Sequence, residues 1–151
     1  MNTAPLAEEL ADALVRIPRL IRRRLRAGLT GPRLRGAEAE LLRMVEGRPG
    51  ASVSDAAREL RLAGNSVSTL VNRLVRDGYL IRETDPADRR AARLLLTDAA
   101  RTRLEAWRHR RAELVTGQLS RLDEADREAL RAALPALRKL ADALHEEAEE
   151  E

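Results

Sequence analysis

The sequence predicts a mainly helical fold carrying one small β-hairpin. Two observations lead there. Apolar residues recur at spacings of three and four along most of the chain, which is the period of an amphipathic helix. Only Tyr79–Thr84 and Arg93–Thr97 read as strands, and the charged, turn-rich segment 85–92 between them reads as a hairpin tip.

Each element follows from local signals. Leu6, Leu10, Leu14, Ile17 and Ile21 mark one face of a first helix, with Pro18 inside it predicting a kink or a break. Gly28, Gly31 and Pro32 punctuate a loop reaching Gly36. Residues 37–46 form a short helix with Leu41, Leu42 and Val45 inward, ended by Gly47-Arg48-Pro49-Gly50. Ser52-Val53 reads as a brief strand, and Ser54 as the cap of a helix running to about Leu62. Gly64 breaks that helix, and the next runs from Asn65 to Arg76, before Asp77-Gly78. Beyond the hairpin, Thr97-Asp98 opens a long helix to about Leu122. Asp123 caps the last one, whose stripe is Leu130, Leu134, Leu137, Ala141 and Leu144, with Pro135 bending it.

Composition sets limits. The chain has 151 residues, enough for a packed core without metals or disulfides, and no cysteine. Thiol nucleophiles, thiol redox sensing and cysteine zinc sites are thereby excluded. No apolar run approaches the length of a membrane span. Glu8, Glu9 and Asp12 stand where a secretory signal would be basic and then apolar, so a cytoplasmic location with no membrane partner is expected. Net charge is +3, and every basic residue except Lys139 is Arg. An Arg and Ala bias of this kind also arises from a G+C-rich coding sequence, so the placement of the charges matters more than their number.

That placement is informative. Three helices and a hairpin between two long outer helices suggest a winged helix-turn-helix, with the turn at Arg61-Leu62-Ala63-Gly64. In the helix after the turn, Val67, Leu70, Val71 and Leu74 share the core face. The other side shows Asn65, Ser68, Thr69, Asn72 and Arg76, flanked by Ser66 and Arg73, with no acid before Asp77. A helix that reads the major groove needs such a face of donors and acceptors, although a merely solvated helix also fits it. Arg89, Arg90 and Arg93 project from the hairpin, where a guanidinium can enter a narrow minor groove. Asp88 beside them can accept tip N–H groups and fix the loop.

The segment from Gly78 through Tyr79-Leu80-Ile81-Arg82-Glu83-Thr84-Asp85-Pro86-Ala87-Asp88-Arg89-Arg90-Ala91, followed by Leu94-Leu95-Leu96-Thr97, resembles the wing of MarR-type transcriptional regulators. Residues 53–60 resemble that family's second DNA-domain helix, and residues 65–74 its recognition helix. The resemblance implies a winged helix-turn-helix DNA-binding lobe plus a helical dimerisation domain. The divisions are then 1–34 as N-terminal dimerisation helix and loop, 35–98 as the DNA-binding lobe, and 99–151 as the remaining dimerisation helices. It further implies a homodimer on a pseudo-palindromic site in double-stranded DNA, most often a repressor released by a small molecule. Asn65, Ser66, Ser68, Thr69, Asn72 and Arg73 would meet the major groove. Arg90 would reach the minor groove, with Arg89 and Arg93 near phosphate and Asp88 bracing the tip. Two positions depart from the pattern: Ala63 replaces the usual Ser or Thr cap, and Arg35 replaces Thr.

Other readings are weaker. Trp107, Arg19 and Arg23 are candidates for an effector site, against the plainer reading that Trp107 packs and the arginines are solvated. His109 and His145 lie far apart in sequence with no ligand-type spacing, so neither a metal nor a cofactor is expected. The sequence has no phosphate-binding loop and no nucleophile–His–acid set, which argues against an enzyme. A winged-helix dimer acting through a protein partner is the alternative. The Arg-rich tip and the acid-free face argue against it.

Overall fold

The computed structural model describes residues 3–26 and 34–150. The chain runs α1 (Ala4–Leu25), α2 (Gly36–Gly47), α3 (Val53–Leu60), α4 (Gly64–Arg76), β1 (Leu80–Thr84), β2 (Ala92–Leu96), α5 (Asp98–Leu119) and α6 (Glu124–Glu150). The fold is therefore mainly helical with one antiparallel hairpin, in the register Leu80 opposite Leu96 and Thr84 opposite Ala92. It divides into two compact units, Met1–Arg110 and Arg111–Glu151, with the boundary inside α5. The expected loop at 28–33 lies outside the described residues.

The core belongs to the first unit. Leu41, Leu42 and Val45 of α2, Ala56 of α3 and Val67, Val71 and Leu74 of α4 are essentially inaccessible. Leu80, Leu94 and Leu96 of the hairpin and Ala100 and Leu104 of α5 join the cluster, with Met44, Ala51 and Tyr79. Burying each of the larger side chains contributes about 1.5–3 kcal/mol. The apolar positions of α4 thus decide which of its faces remains available.

Several local expectations are corrected. Pro18 lies inside α1 without breaking it. Ser52, not Ser54, caps α3. Its Oγ accepts the Asp55 N–H at 3.0 Å, while Asp55 Oδ2 accepts the Ser52 N–H at 3.0 Å. This reciprocal capping box makes Ser52 and Val53 the helix start rather than a strand. Helix α3 ends at Leu60, and the left-handed residue is Arg61 (φ 52°), with Gly64 already inside α4. Tyr79 and Thr97 fall outside the strands. Instead, the Thr97 hydroxyl donates to the Gly78 carbonyl at 2.7 Å and accepts the Ala100 N–H at 3.1 Å, so it caps α5 against the end of α4.

Two features hold the wing. Gly50 N–H donates to the Leu94 carbonyl (2.8 Å) and Leu94 N–H to the Ala51 carbonyl (2.9 Å), so the loop before α3 covers the open edge of β2. At the other side, α4 ends in a Schellman turn. The Tyr79 N–H reaches the Leu74 carbonyl (2.8 Å) and the Gly78 N–H the Val75 carbonyl (3.1 Å), with Gly78 at φ +80°. The hairpin therefore leaves α4 in a fixed direction.

Candidate nucleic-acid interface

Helices α3 and α4 are joined by Arg61, Leu62 and Ala63, which makes a helix-turn-helix. With Val67, Val71 and Leu74 inward, Asn65, Ser66, Thr69 and Asn72 are exposed, and Ser68 is half-buried. No acidic residue occurs between Gly64 and Arg76. Ala63 offers no side-chain cap, but Asn65 Oδ1 accepts the Ser66 N–H at 2.8 Å. Thr69 donates its hydroxyl back to the Asn65 carbonyl at 3.0 Å, leaving the hydroxyl oxygen able to accept. Asn72 stands exposed one turn further on.

Arg73 stands apart from these. Its Nε lies 3.2 Å from Glu38 Oε1 and 3.8 Å from Asp77 Oδ2. Glu38 is buried in α2, and its Oε2 accepts the Arg35 N–H at 2.7 Å. Arg35 therefore starts α2 with its own N–H accepted by Glu38, while its guanidinium has no acceptor to offer the helix N–H groups as a Thr hydroxyl would.

The wing tip is built by short polar bonds. Asp85 N–H donates to the Ala91 carbonyl at 2.9 Å, extending the ladder by one rung, and Ala91 N–H donates to the Asp88 carbonyl at 3.0 Å. Asp85 Oδ1 accepts the Ala87 N–H and Asp88 Oδ1 the Arg90 N–H, both at 2.9 Å. Arg89 and Arg90 project exposed from this tip. Arg93 does not. It lies against Gly50, whose φ is +85°, so closely that a Cβ at position 50 would sit 2.8 Å from Arg93 Nη2. The positive φ is what favours glycine there, since the guanidinium end of a flexible side chain could shift aside.

Of the residues proposed for an effector, Arg19 and Trp107 have described surroundings. Arg19 lines an open groove along α1 with Glu9, Asp12 and Arg16, whereas Arg23 and Trp107 do not line it. The Arg43 guanidinium stacks over the Trp107 ring, 4.8 Å from its centroid. Next to Trp107, Arg108 grips Glu46 of α2 with both terminal nitrogens, one of them at 3.1 Å from Oε1. The Arg108 hydrogen bonds hold the Glu46 carboxyl below its ordinary value. Sequence reasoning missed Glu38, Arg43, Glu46 and Arg108 because their partners come from other elements. Only the spacing of Glu38 three residues after Arg35 was a readable sign, as the acidic end of a capping box.

Among the described residues, no group of three or more His, Asp or Glu could hold a metal ion, and no helix is long and apolar enough to cross a membrane.

A helix-turn-helix followed at once by a hairpin with an Arg-bearing tip defines a winged-helix protein. The comparisons agree: a model of the MarR family matches residues 27–91. A transcriptional regulator from Thermotoga maritima is similar at 26% identity and a TM-score of 0.72, covering 93% of this chain and 96% of its own. A MarR family protein from Bacillus stearothermophilus has 22% identity and a TM-score of 0.76, covering 95% and 98%. FabT of Streptococcus pneumoniae, solved in complex with DNA, has 20% identity and a TM-score of 0.69, covering 95% and 99%. No curated protein matches the sequence. The match to the MarR family of winged-helix transcriptional regulators spans the helix-turn-helix and most of the wing.

Proposed function

We propose that the protein is a sequence-specific DNA-binding regulator, a repressor released by a small molecule, acting as a homodimer on a pseudo-palindromic site in double-stranded DNA. The observation that carries this reading is the exposed, acid-free face of α4, with Asn65, Ser66, Thr69 and Asn72 outward while Val67, Val71 and Leu74 anchor the helix. Short amides and hydroxyls at the start of a helix suit base edges in the major groove. The tip of the wing adds Arg90 for the minor groove and Arg89 for phosphate. The DNA-bound fold relative FabT supports the same use of the scaffold. Residues 1–34 and 99–151 supply the dimerisation helices in this reading, and 35–98 the DNA-binding lobe.

Fluorescence anisotropy against duplex DNA from immediately upstream of the protein's own gene tests it. Binding that is salt-sensitive and discriminates against unrelated DNA is expected. Equal weak binding to all duplexes would reject sequence-specific recognition of that region. A complex that does form then serves to screen for the releasing compound.

A further inference from the structure

Arg73 is the one member of the predicted reading face that the lobe itself engages with an ion pair to another helix. Glu38 is only 1% exposed, and its Oε1 has no hydrogen-bond partner among the described residues, although Arg73 Nε lies 3.2 Å away. The other oxygen is occupied by the Arg35 N–H. The Arg73 charge is therefore the compensation for a buried carboxylate. Withdrawing it toward a phosphate would leave that carboxylate uncompensated, which is far costlier than losing an exposed pair.

We propose that Arg73 is a positioning residue rather than a DNA contact: through Glu38 it ties the recognition helix to the start of α2 and sets the angle at which α4 presents its face. This rests on the DNA-binding reading above. The physical need is plain. Val67, Val71 and Leu74 hold α4 by apolar packing, which resists separation but specifies rotation weakly. An ion pair to a buried acid whose second oxygen is already fixed adds a constraint of position, because moving Arg73 away would leave that carboxylate uncompensated. The pair lies toward the end of α4, where a small rotation is read out along the whole exposed row. Asp77, 3.8 Å from the same Nε, keeps the guanidinium on this side of the helix.

The test uses the full chain carrying E38Q, and a second variant carrying E38Q together with R73Q. Gln at 38 can still accept the Arg35 N–H, so the α2 cap persists while the charge is removed. In the double variant neither charge remains to be stranded. Affinity is measured across a salt series for a duplex selected from random sequence by the unmodified protein, and for an unrelated duplex of equal length. The expected result for both variants is a loss of about tenfold or more on the selected duplex, little change on the unrelated one, and an unchanged salt slope. If Arg73 instead contacts phosphate, E38Q frees it and binds as tightly or more tightly, and the double variant loses about 0.9 from the slope per contact. Either result overturns the proposal, as does an equal loss on both duplexes. Amide hydrogen exchange without DNA separates this claim from the functional reading. Faster exchange in α4 of E38Q, with α5 unchanged, supports positioning even if the unmodified protein selects no duplex, in which case the DNA reading fails. Unchanged exchange in α4 overturns positioning.

Discussion

Arg90 stands at the tip of the wing with its backbone N–H held by Asp88 and its side chain exposed. Holding the backbone while leaving the guanidinium outward costs little entropy when a groove is entered, so Arg90→Ala is expected to weaken specific DNA binding by about tenfold or more. The oligomeric state, measured by light scattering, should be unchanged, and equal DNA affinity would refute the assignment of the wing. Two other residues contribute to the acid dependence of stability. Backbone and side-chain hydrogen bonds from Ser52 hold the Asp55 carboxyl below its ordinary value, and Arg108 does the same for Glu46. For both, the unfolded chain binds protons more readily than the folded one. Their stabilisation is therefore full above the ordinary carboxylate range, whose reference values are 3.8 for Asp55 and 4.5 for Glu46, and is lost as pH falls through the lower folded values. Thermal melts at descending pH should show Glu46→Gln losing less stability on acidification than the parent protein, and identical acid slopes would contradict this.

The turn between α3 and α4 carries a local conflict between sequence and conformation. Arg61 sits in the left-handed region, while the glycine is three residues later at a position that does not need it. Arg61→Gly is expected to stabilise the lobe by roughly 1 kcal/mol, and Ala63→Ser by a similar ~1 kcal/mol through an added cap. Denaturant melts of the two variants check both figures, and no gain from Ala63→Ser would mean that Asn65 already does the work. The same turn shows what a sequence reveals and what it conceals. Helix existence was legible because Leu41, Leu42, Val67, Val71 and Leu74 repeat with the helical period and are buried. The wing was legible because turn residues separate two apolar runs. Boundaries were less so: Ser52 and Ser54 are both competent caps, and only the reciprocal bond to Asp55 selects the first. The exposed residues of the α4 face followed from periodicity alone. The engagement of Arg73 by Glu38 and of Arg93 by Gly50 did not, because each depends on a partner brought in by tertiary folding.

At the scale of the molecule, the exposed apolar residues call for a partner. Leu6, Leu14 and Ile17 of α1 are exposed, and so are Leu130, Leu134 and Leu144 of α6. Apolar rows of that extent on a single chain are usually covered in the working assembly, and we propose that a second copy covers them. Removing residues 124–151 should then give monomers or aggregates in light scattering; a stable soluble dimer would contradict this role for α6. A symmetric dimer also fixes the spacing of what it reads, since two recognition helices enter the major groove on one face when their half-sites lie a whole number of helical turns apart, one turn being the shortest such spacing. Hydroxyl-radical footprinting of the protein on its selected duplex measures this directly. The account predicts two symmetric protected segments about 10 base pairs apart, with added protection where each wing meets the minor groove and loss of that added protection in Arg90→Ala. A single asymmetric footprint, or uniform protection unaffected by Arg90→Ala, would contradict it.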